Sequence, residues 1–186
     1  SDTNRWEMGL LHRADWQAKW IGLGAEGAES LTTDHVRWIW YPEGNPLQSA
    51  PAGDRFFCYD ISVREGKRVE RATLYAVADN TYNAYVNGKA VGSGGAWQNW
   101  NRHSIEESLH AGSNRIQIRA NNTDGPAGLA TAIVIRYADG TSEQFGTDSK
   151  WHSQNSEEQG WLGERHDLAN WKSAMVLGEK IGRAHV

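Results

Sequence analysis

The sequence of 186 residues predicts an all-β fold, an antiparallel β-sandwich or jelly roll. Short segments rich in aromatic and β-branched residues recur along the chain and are separated by turn residues. Several of these segments alternate apolar with polar residues, which is the pattern of a strand with one buried face. No long segment has the period of an amphipathic helix. Many short strands at this spacing are typical of sandwiches.

Two dipeptides predict where neighbouring strands pair. Asn87-Gly88 is typical of a type I′ hairpin turn, and Asp139-Gly140 predicts a second hairpin. In chain order, the predicted strands are residues 37–41, 55–63, 72–78, 82–86, 90–91, 115–120, 129–137 and 142–145.

The length predicts one domain with a segment added at each end. Residues 23–150 form the predicted sandwich domain. Residues 1–22 form a lead-in and residues 151–186 an irregular tail, and tryptophans in both are expected to pack on the sandwich. The chain has ten tryptophans, and each can bury ~150–250 Å². They offset a hydrophobic content of 39%.

Composition argues against two classes of partner. The formal net charge is −4 and no basic patch stands out, so we expect no nucleic-acid binding. No apolar run approaches the ~20 residues of a membrane span, so we expect no membrane partner.

Catalytic motifs are missing from the sequence. The single cysteine, Cys58, lies in an aromatic run, which predicts core packing rather than a reactive thiol. The seven histidines have no pair at metal-ligand spacing, and no nucleophile elbow or phosphate-binding loop is present. Carboxylates are plentiful, so a glycosidase-type carboxylate pair stays an alternative.

Side chains with oxygen donors lie at the ends of two predicted strands. Asp79-Asn80 follows one and Asn121-Asn122 ends another, with Trp97 and Trp100 between them in sequence. Oxygen donors beside an indole suit a hard cation and a polyol. Considered alone, Asp79-Asn80 also fits an Asx turn, residues 121–125 fit an ordinary polar loop, and Trp97 fits a core position.

Several motifs together resemble a known family. They are Met8–Leu11, the lead-in Asp15–Gly22 (DWQAKWIG), the hairpin Tyr85–Gly92 (YVNGKAVG), the strand entry Leu109–Ile116 (LHAGSNRI) and the strand pair 127–141. In this combination the chain resembles the N-terminal β-sandwich region of bacterial α-L-rhamnosidases. Within that region it is similar to the rhamnose-binding class of carbohydrate-binding modules, family 67. The resemblance implies a sandwich of the galactose-binding-like type.

The resemblance also implies a calcium ion between protein and sugar. The implied metal ligands are Asp79, Asn80, Asn121 and the carbonyl of Pro126. Asp79, Asn80, Asn121 and Trp97 are the implied ligand-binding residues, with Trp97 packing on the sugar and Trp100 as a second candidate for that role.

The function implied is that of a non-catalytic module. Its ligand would be a terminal L-rhamnose on a plant or algal polysaccharide, and it would be tethered to a catalytic domain in a parent protein. The resemblance places that protein in the secreted, periplasmic or cell-surface fraction of a bacterium. Three alternatives stay open: a structural accessory domain without a ligand, a sandwich module for another sugar, and an enzyme.

Overall fold

The computed structural model describes residues 34–178. Within this range the chain forms two six-stranded antiparallel sheets, which confirms the predicted sandwich. The strands are β1 (Trp38–Trp40), β2 (Gly53–Val63), β3 (Val69–Asp79), β4 (Thr81–Val86), β5 (Lys89–Gly95), β6 (Asn101–Ser104), β7 (Gly112–Asn122), β8 (Gly128–Tyr137), β9 (Ser142–Gly146), β10 (His152–Gln154), β11 (Lys172–Ser173) and β12 (Met175–Gly178). A short 3₁₀ turn spans Glu106–Ser108.

The strand order determines which loops meet. The first sheet has the order β12-β1-β8-β3-β6, with β9 beside β8. The second has the order β11-β10-β2-β7-β4-β5. Strand β3 of the first sheet leads directly into β4 of the second, so the chain crosses between the sheets at Asn80.

The core lies between the two sheets and follows from alternation along the strands. Leu74 and Ala76 of β3 face Ile116 and Ile118 of β7 in one buried cluster, and all four are 0% exposed. The opposite face of β3 carries Tyr75, Val77 and Asp79, because successive strand side chains point to opposite faces. The outer face of the first sheet is therefore partly apolar and ends in a carboxylate.

Both predicted hairpins are confirmed. Asn87 and Gly88 have φ of 52° and 77°, as a type I′ turn requires, and they join β4 to β5. Gly140 has φ of 82° and lies in the turn between β8 and β9. The core interpretation of Cys58 is also confirmed, because its side chain is fully buried and burial raises the pKa of the thiol to about 12.

The predicted lead-in, residues 1–22, lies outside the described residues. The described part of the tail we expected to be irregular contains three short strands. Of these, β10 pairs with β2 and β12 pairs with β1, so this segment extends both sheets. Residues 152–154 and 172–173 are mostly polar and lack a strand pattern, and pairing with distant strands holds them extended. Trp151 is fully buried and stacks on Tyr59 of β2.

No helix among the described residues is long and apolar enough to cross a membrane.

At one side of the sandwich the edge strand β5 of the second sheet lies beside the edge strand β6 of the first. A buried polar contact joins the two sheets there. Tyr82 Oη lies 2.8 Å from His103 Nε2. A Cβ on Gly92 would lie 2.1 Å from Nδ1 of the same imidazole, so this ring sits directly on the backbone of β5. Tyr82 is almost fully buried, and its hydroxyl lies within hydrogen-bond distance of both the imidazole and Asn101 Oδ1.

This contact predicts a loss of stability at mildly acid pH. Burial lowers the pKa of His103 below its ordinary value of 6.5. The folded state therefore favours the neutral ring, and stability falls as pH drops below the unfolded pKa. Urea unfolding between pH 7.5 and 5.5 should show this loss. His103→Gln, which keeps an acceptor but cannot titrate, should flatten the profile, and an unchanged profile in that variant would contradict the assignment.

Candidate functional site

The candidate site is built where the chain passes from the first sheet to the second. Asp79 ends β3, Asn80 makes the crossing, and Thr81 begins β4. The backbone N–H of Asn80 donates to the carbonyl of Asn121 at 2.8 Å, and the Asp79–Asn80 peptide bond is cis. The two polar segments predicted from sequence, 79–80 and 121–122, thus meet at one corner of the sandwich. We call this region the β3–β4 corner.

Asp79 is half-buried on the outer face of the first sheet. Its partner across β8 is Gly128, which has no side chain to cover the carboxylate. Asn80 Nδ2 donates to Asp79 Oδ1 at 3.1 Å. One oxygen of the carboxylate is therefore oriented by its neighbour in sequence.

A second carboxylate lies near the first. Burial raises the pKa of Asp79, and the negative charge of Asp124 raises it further. Both effects disfavour the ionised form of Asp79, and a bound cation would counter both. Asp124 belongs to residues 121–125, which on sequence alone fit a polar loop, and it is not among the metal ligands that the family resemblance implies.

Asn80 braces the loop that carries Asp124. Its side-chain oxygen accepts hydrogen bonds from the backbone N–H of Thr123 at 2.7 Å and from Thr123 Oγ1 at 2.8 Å. Its backbone carbonyl accepts from Ala96 N at 3.2 Å. The side-chain oxygen already accepts two bonds in this structure, so it could coordinate a cation only by releasing one of them.

Asn121 is oriented by a carboxylate on the neighbouring strand. Asn121 Nδ2 donates to Asp54 Oδ1 at 2.8 Å, and the two residues are direct partners in the pairing of β2 with β7. Arg119 Nε donates to the other oxygen of Asp54 at 2.9 Å. Burial alone would raise the pKa of Asp54, but the hydrogen bonds from Arg119 and Asn121 lower it. With its amide nitrogen held by an ionised Asp54, Asn121 keeps its side-chain oxygen directed away from that carboxylate.

Pro126 is exposed in the same loop as Asp124. Its neighbours fix the loop on the side away from Asn80. The carbonyl of Gly125 accepts from Ala50 N at 2.8 Å, and Ala127 N donates to the carbonyl of Pro46 at 2.9 Å. The loop is therefore held from both sides.

Trp97 and Trp100 belong to the connection between β5 and β6. Ala96 has φ of 67°, a left-handed conformation that is unfavourable for alanine, and its carbonyl accepts from Asn99 N at 3.1 Å. Trp97 is half-buried and packs on the outer apolar cluster that contains Val77 and Ala130. Val77 precedes Asp79 by two residues on the same strand face, so Trp97 and Asp79 both belong to the outer face of the first sheet.

The structure thus places Asp79, Asn80 and the backbone of Asn121 at one corner, with Trp97 on the outer face of the first sheet and Pro126 in a loop attached to the corner. Two features were missed in the sequence, Asp124 and the orienting residue Asp54. Asp54 could have been found by aligning β2 with β7 in the correct register, because that alignment places Asp54 directly opposite Asn121.

A separate cleft lies elsewhere in the described residues. A cleft of about 330 Å³ between β5 and the 3₁₀ turn is lined by Lys89, Val91 and Glu106, among others. Lys89 is at the opposite end of β5 from Gly95, which pairs with Thr81, so this cleft is separate from the β3–β4 corner. Within residues 34–178 there is no group of three or more His, Cys, Asp or Glu side chains arranged to hold a metal ion. The implied calcium ligands are mostly amide and carbonyl oxygens, which such a group does not include.

No family model matches the chain. Among curated proteins, it is 34% identical over 179 residues to an α-L-rhamnosidase of Streptomyces avermitilis, covering 92% of this chain and 17% of that enzyme. It is 25% identical over 183 residues to an α-L-rhamnosidase of Formosa agariphila, covering 81% of this chain and 19% of the enzyme. The chain therefore spans less than a fifth of these curated relatives.

Solved structures agree with the sequence comparison. The crystal structure of the Streptomyces avermitilis α-L-rhamnosidase complexed with L-rhamnose aligns with a TM-score of 0.76 and 31% identity, over 94% of this chain and 17% of that one. The apo form of a lectin from Pleurotus ostreatus aligns with a TM-score of 0.72 and 34% identity, over 80% of this chain and 43% of that one. A lectin from Pleurotus ostreatus in complex with GalNAc aligns with a TM-score of 0.72 and 29% identity, over 78% of this chain and 44% of that one.

The chain is homologous to the N-terminal region of α-L-rhamnosidases, as the motifs predicted. The narrower assignment to the rhamnose-binding class stays a prediction.

Proposed function

We propose that this chain is a non-catalytic carbohydrate-binding module of the family 67 type. It holds a terminal L-rhamnose of a plant or algal polysaccharide through a calcium ion at the β3–β4 corner. The observation that carries the proposal is the position of Asp79, half-buried near the negative Asp124 and on the same outer sheet face as Trp97. Homology to a region of an enzyme whose crystal structure contains L-rhamnose supports the choice of sugar.

The residues at the corner fit calcium. This ion prefers six to eight oxygen ligands from carboxylate, amide and carbonyl groups. Asp79, the side-chain oxygen of Asn121 and the carbonyl of Pro126 are donors of these kinds, and Asp124 adds a second charge nearby. Asn80 contributes chiefly by bracing the loop, because Thr123 already uses its side-chain oxygen. When bound, calcium would offer positions to neighbouring hydroxyls of a sugar.

Trp97 supplies the apolar part of the site. Its indole packs against the outer apolar cluster that contains Val77 and Ala130, which limits the side-chain freedom lost on binding. The exposed part of the ring can cover the apolar face of a pyranose or the methyl group of a 6-deoxy sugar. Such a site is shallow, and we expect dissociation constants between roughly 10 µM and 1 mM.

We place catalysis in another part of the parent protein. The chain corresponds to 17% of the α-L-rhamnosidase of Streptomyces avermitilis, which leaves most of such a protein for a catalytic domain. Tethering to such a domain, and secretion from or display on a bacterial cell, belong to the same proposal. A structural accessory domain without a ligand is the alternative that needs neither calcium nor sugar.

A second candidate ligand is supported by a different comparison. The lectin that shares this fold at 29% identity is in complex with GalNAc. An N-acetylated or galactose-type sugar is therefore the alternative ligand at the same corner.

Calorimetric titration with and without chelator tests the proposal. Calcium is supplied at about 1–5 mM, because extracellular calcium sites bind on the millimolar scale. Titration with methyl α-L-rhamnoside should then release heat, and an excess of EGTA should abolish that heat. GalNAc under the same conditions separates the two sugars. Equal heats with and without EGTA, or no binding of either sugar, would reject the calcium-bridged site.

A further inference from the structure

Trp100 differs from Trp97 in its packing. Within residues 34–178, the large hydrophobic side chains with the greatest exposure are Leu47 at 44%, Val176 at 42% and Trp100 at 37%. Trp97, three residues earlier, is half-buried on the outer apolar cluster, whereas Trp100 is not part of that cluster. The same loop therefore carries the indole of Trp97, which packs on the sheet, and the indole of Trp100, which is exposed to solvent.

Both indoles lie on the side of the first sheet that carries Asp79. Trp100 immediately precedes Asn101, which pairs with Ala76 of β3. The side chain of Asn101 points between the sheets, where its Oδ1 accepts a hydrogen bond from Tyr82 Oη at 3.3 Å. Because neighbouring side chains in an extended chain point to opposite faces, Trp100 is directed to the outer face.

The loop that carries the two indoles is anchored to the β3–β4 corner. Ala96 N donates to the carbonyl of Asn80, and the left-handed backbone at Ala96 starts a turn closed by Asn99. Unfavourable backbone conformations of this kind persist where surrounding contacts hold them, often at ligand-binding loops. Three residues of chain span at most about 11 Å, so the Cα atoms of Trp97 and Trp100 are no farther apart than about the length of two linked pyranose rings.

We propose that Trp100 forms a second aromatic platform, which contacts the sugar residue linked to the rhamnose held at the corner. The inference rests on the proposed function and deepens it. The binding site then extends over two sugar residues, with Trp97 at the first and Trp100 at the second. The module consequently binds a rhamnose-terminated disaccharide more tightly than a simple rhamnoside. An exposed, rigid indole supplies contact area at low entropic cost, which suits this role.

Calorimetry in saturating calcium tests the inference with two probes, methyl α-L-rhamnoside and a disaccharide with a terminal α-L-rhamnose. The native chain should bind the disaccharide roughly three- to tenfold more tightly, the range expected for one ring contact. Trp100→Ala should abolish that difference and leave the affinity for the simple rhamnoside within about twofold. Trp97→Ala should weaken binding of both probes.

Val176→Ala is the matched control, because Val176 is similarly exposed but lies on the edge strand β12. It should leave both affinities unchanged. Equal affinity of the native chain for both probes would overturn the inference, and so would a Trp100→Ala variant that weakens both equally or neither. In each of these cases, calcium-dependent binding of methyl α-L-rhamnoside would still support the proposed function, and only the inference about Trp100 would be rejected. If neither probe binds in calcium, the proposed function fails and the inference fails with it.

Discussion

Replacing Asp79 with asparagine is expected to abolish calcium-dependent sugar binding while the protein stays folded. Asparagine has nearly the same shape and keeps an oxygen to accept the hydrogen bond from Asn80 Nδ2. It removes the carboxylate on which the proposed cation depends, and loss of a charged partner at a desolvated site costs roughly a hundredfold or more in affinity. Calorimetric titration of methyl α-L-rhamnoside in calcium measures the loss.

The same substitution should slightly stabilise the protein in chelator. The pKa of Asp79 is raised, first by burial and then by Asp124. A carboxyl group with a raised folded pKa contributes stability below its unfolded pKa and loses that contribution as pH rises through the folded pKa. Ionised Asp79 is therefore unfavourable at neutral pH without a cation, and asparagine removes that penalty. Urea unfolding in EGTA at pH 7 measures the change.

Asp139→Asn provides the matched control for the charge. Asp139 pairs with Lys67 at the β8–β9 hairpin, at the opposite end of β8 from Gly128. This variant should bind rhamnoside like the native chain. If Asp79→Asn instead lowered the unfolding midpoint markedly in EGTA, Asp79 would be a structural residue, and the proposal of a cation ligand would lose its support.

Trp151→Ala is expected to lower the free energy of unfolding by about 3–5 kcal/mol, the range for a fully buried large aromatic residue. Trp151 is 0% exposed and stacks on Tyr59 with ring centroids 5.3 Å apart. Its indole nitrogen donates to the carbonyl of Gly146 at 3.1 Å, so truncation also leaves that acceptor without its partner. Urea unfolding monitored by circular dichroism measures the effect.

Trp151→Phe separates the two contributions, because it keeps an aromatic ring and removes the hydrogen bond. It should cost clearly less than the alanine variant. Trp100→Ala serves as the surface control and should cost less than about 0.5 kcal/mol. A Trp151→Ala variant as stable as the native chain would mean that residues from 151 onward are not integral to the core.

The parts of the fold that the sequence predicts are those with local causes. Alternation identified β3 and β7, and an aromatic and β-branched run identified β2. Asn87-Gly88 identified its hairpin because a type I′ turn needs positive φ at both positions. The strands that were missed are short, with two to four residues each, and all but Met175–Gly178 are polar. His152–Gln154 is a strand because it pairs with β2, and no property of those three residues alone indicates it.

In the candidate site, too, some residues could be selected from the sequence and others depend on contacts between distant segments. Asp79, Asn80 and Asn121 were selected because the chain resembles a known family, and the structure places them at one corner. Asp124 and Asp54 depend on distances across the fold. Asp124 acts on Asp79 across 45 positions of sequence, and Asp54 reaches Asn121 across 67. Those contacts arise from the crossing at Asn80 and from the register of β2 with β7, which the order of residues does not reveal.

The central claim concerns a cation at the β3–β4 corner, and a crystal structure grown with calcium and methyl α-L-rhamnoside tests it most directly. We predict an ion within about 2.3–2.6 Å of a carboxylate oxygen of Asp79, with sugar hydroxyls completing its ligands and Trp97 against the ring. A corner without an ion, in which main-chain amides occupy the Asp79 carboxylate and the sugar is absent, would contradict the account.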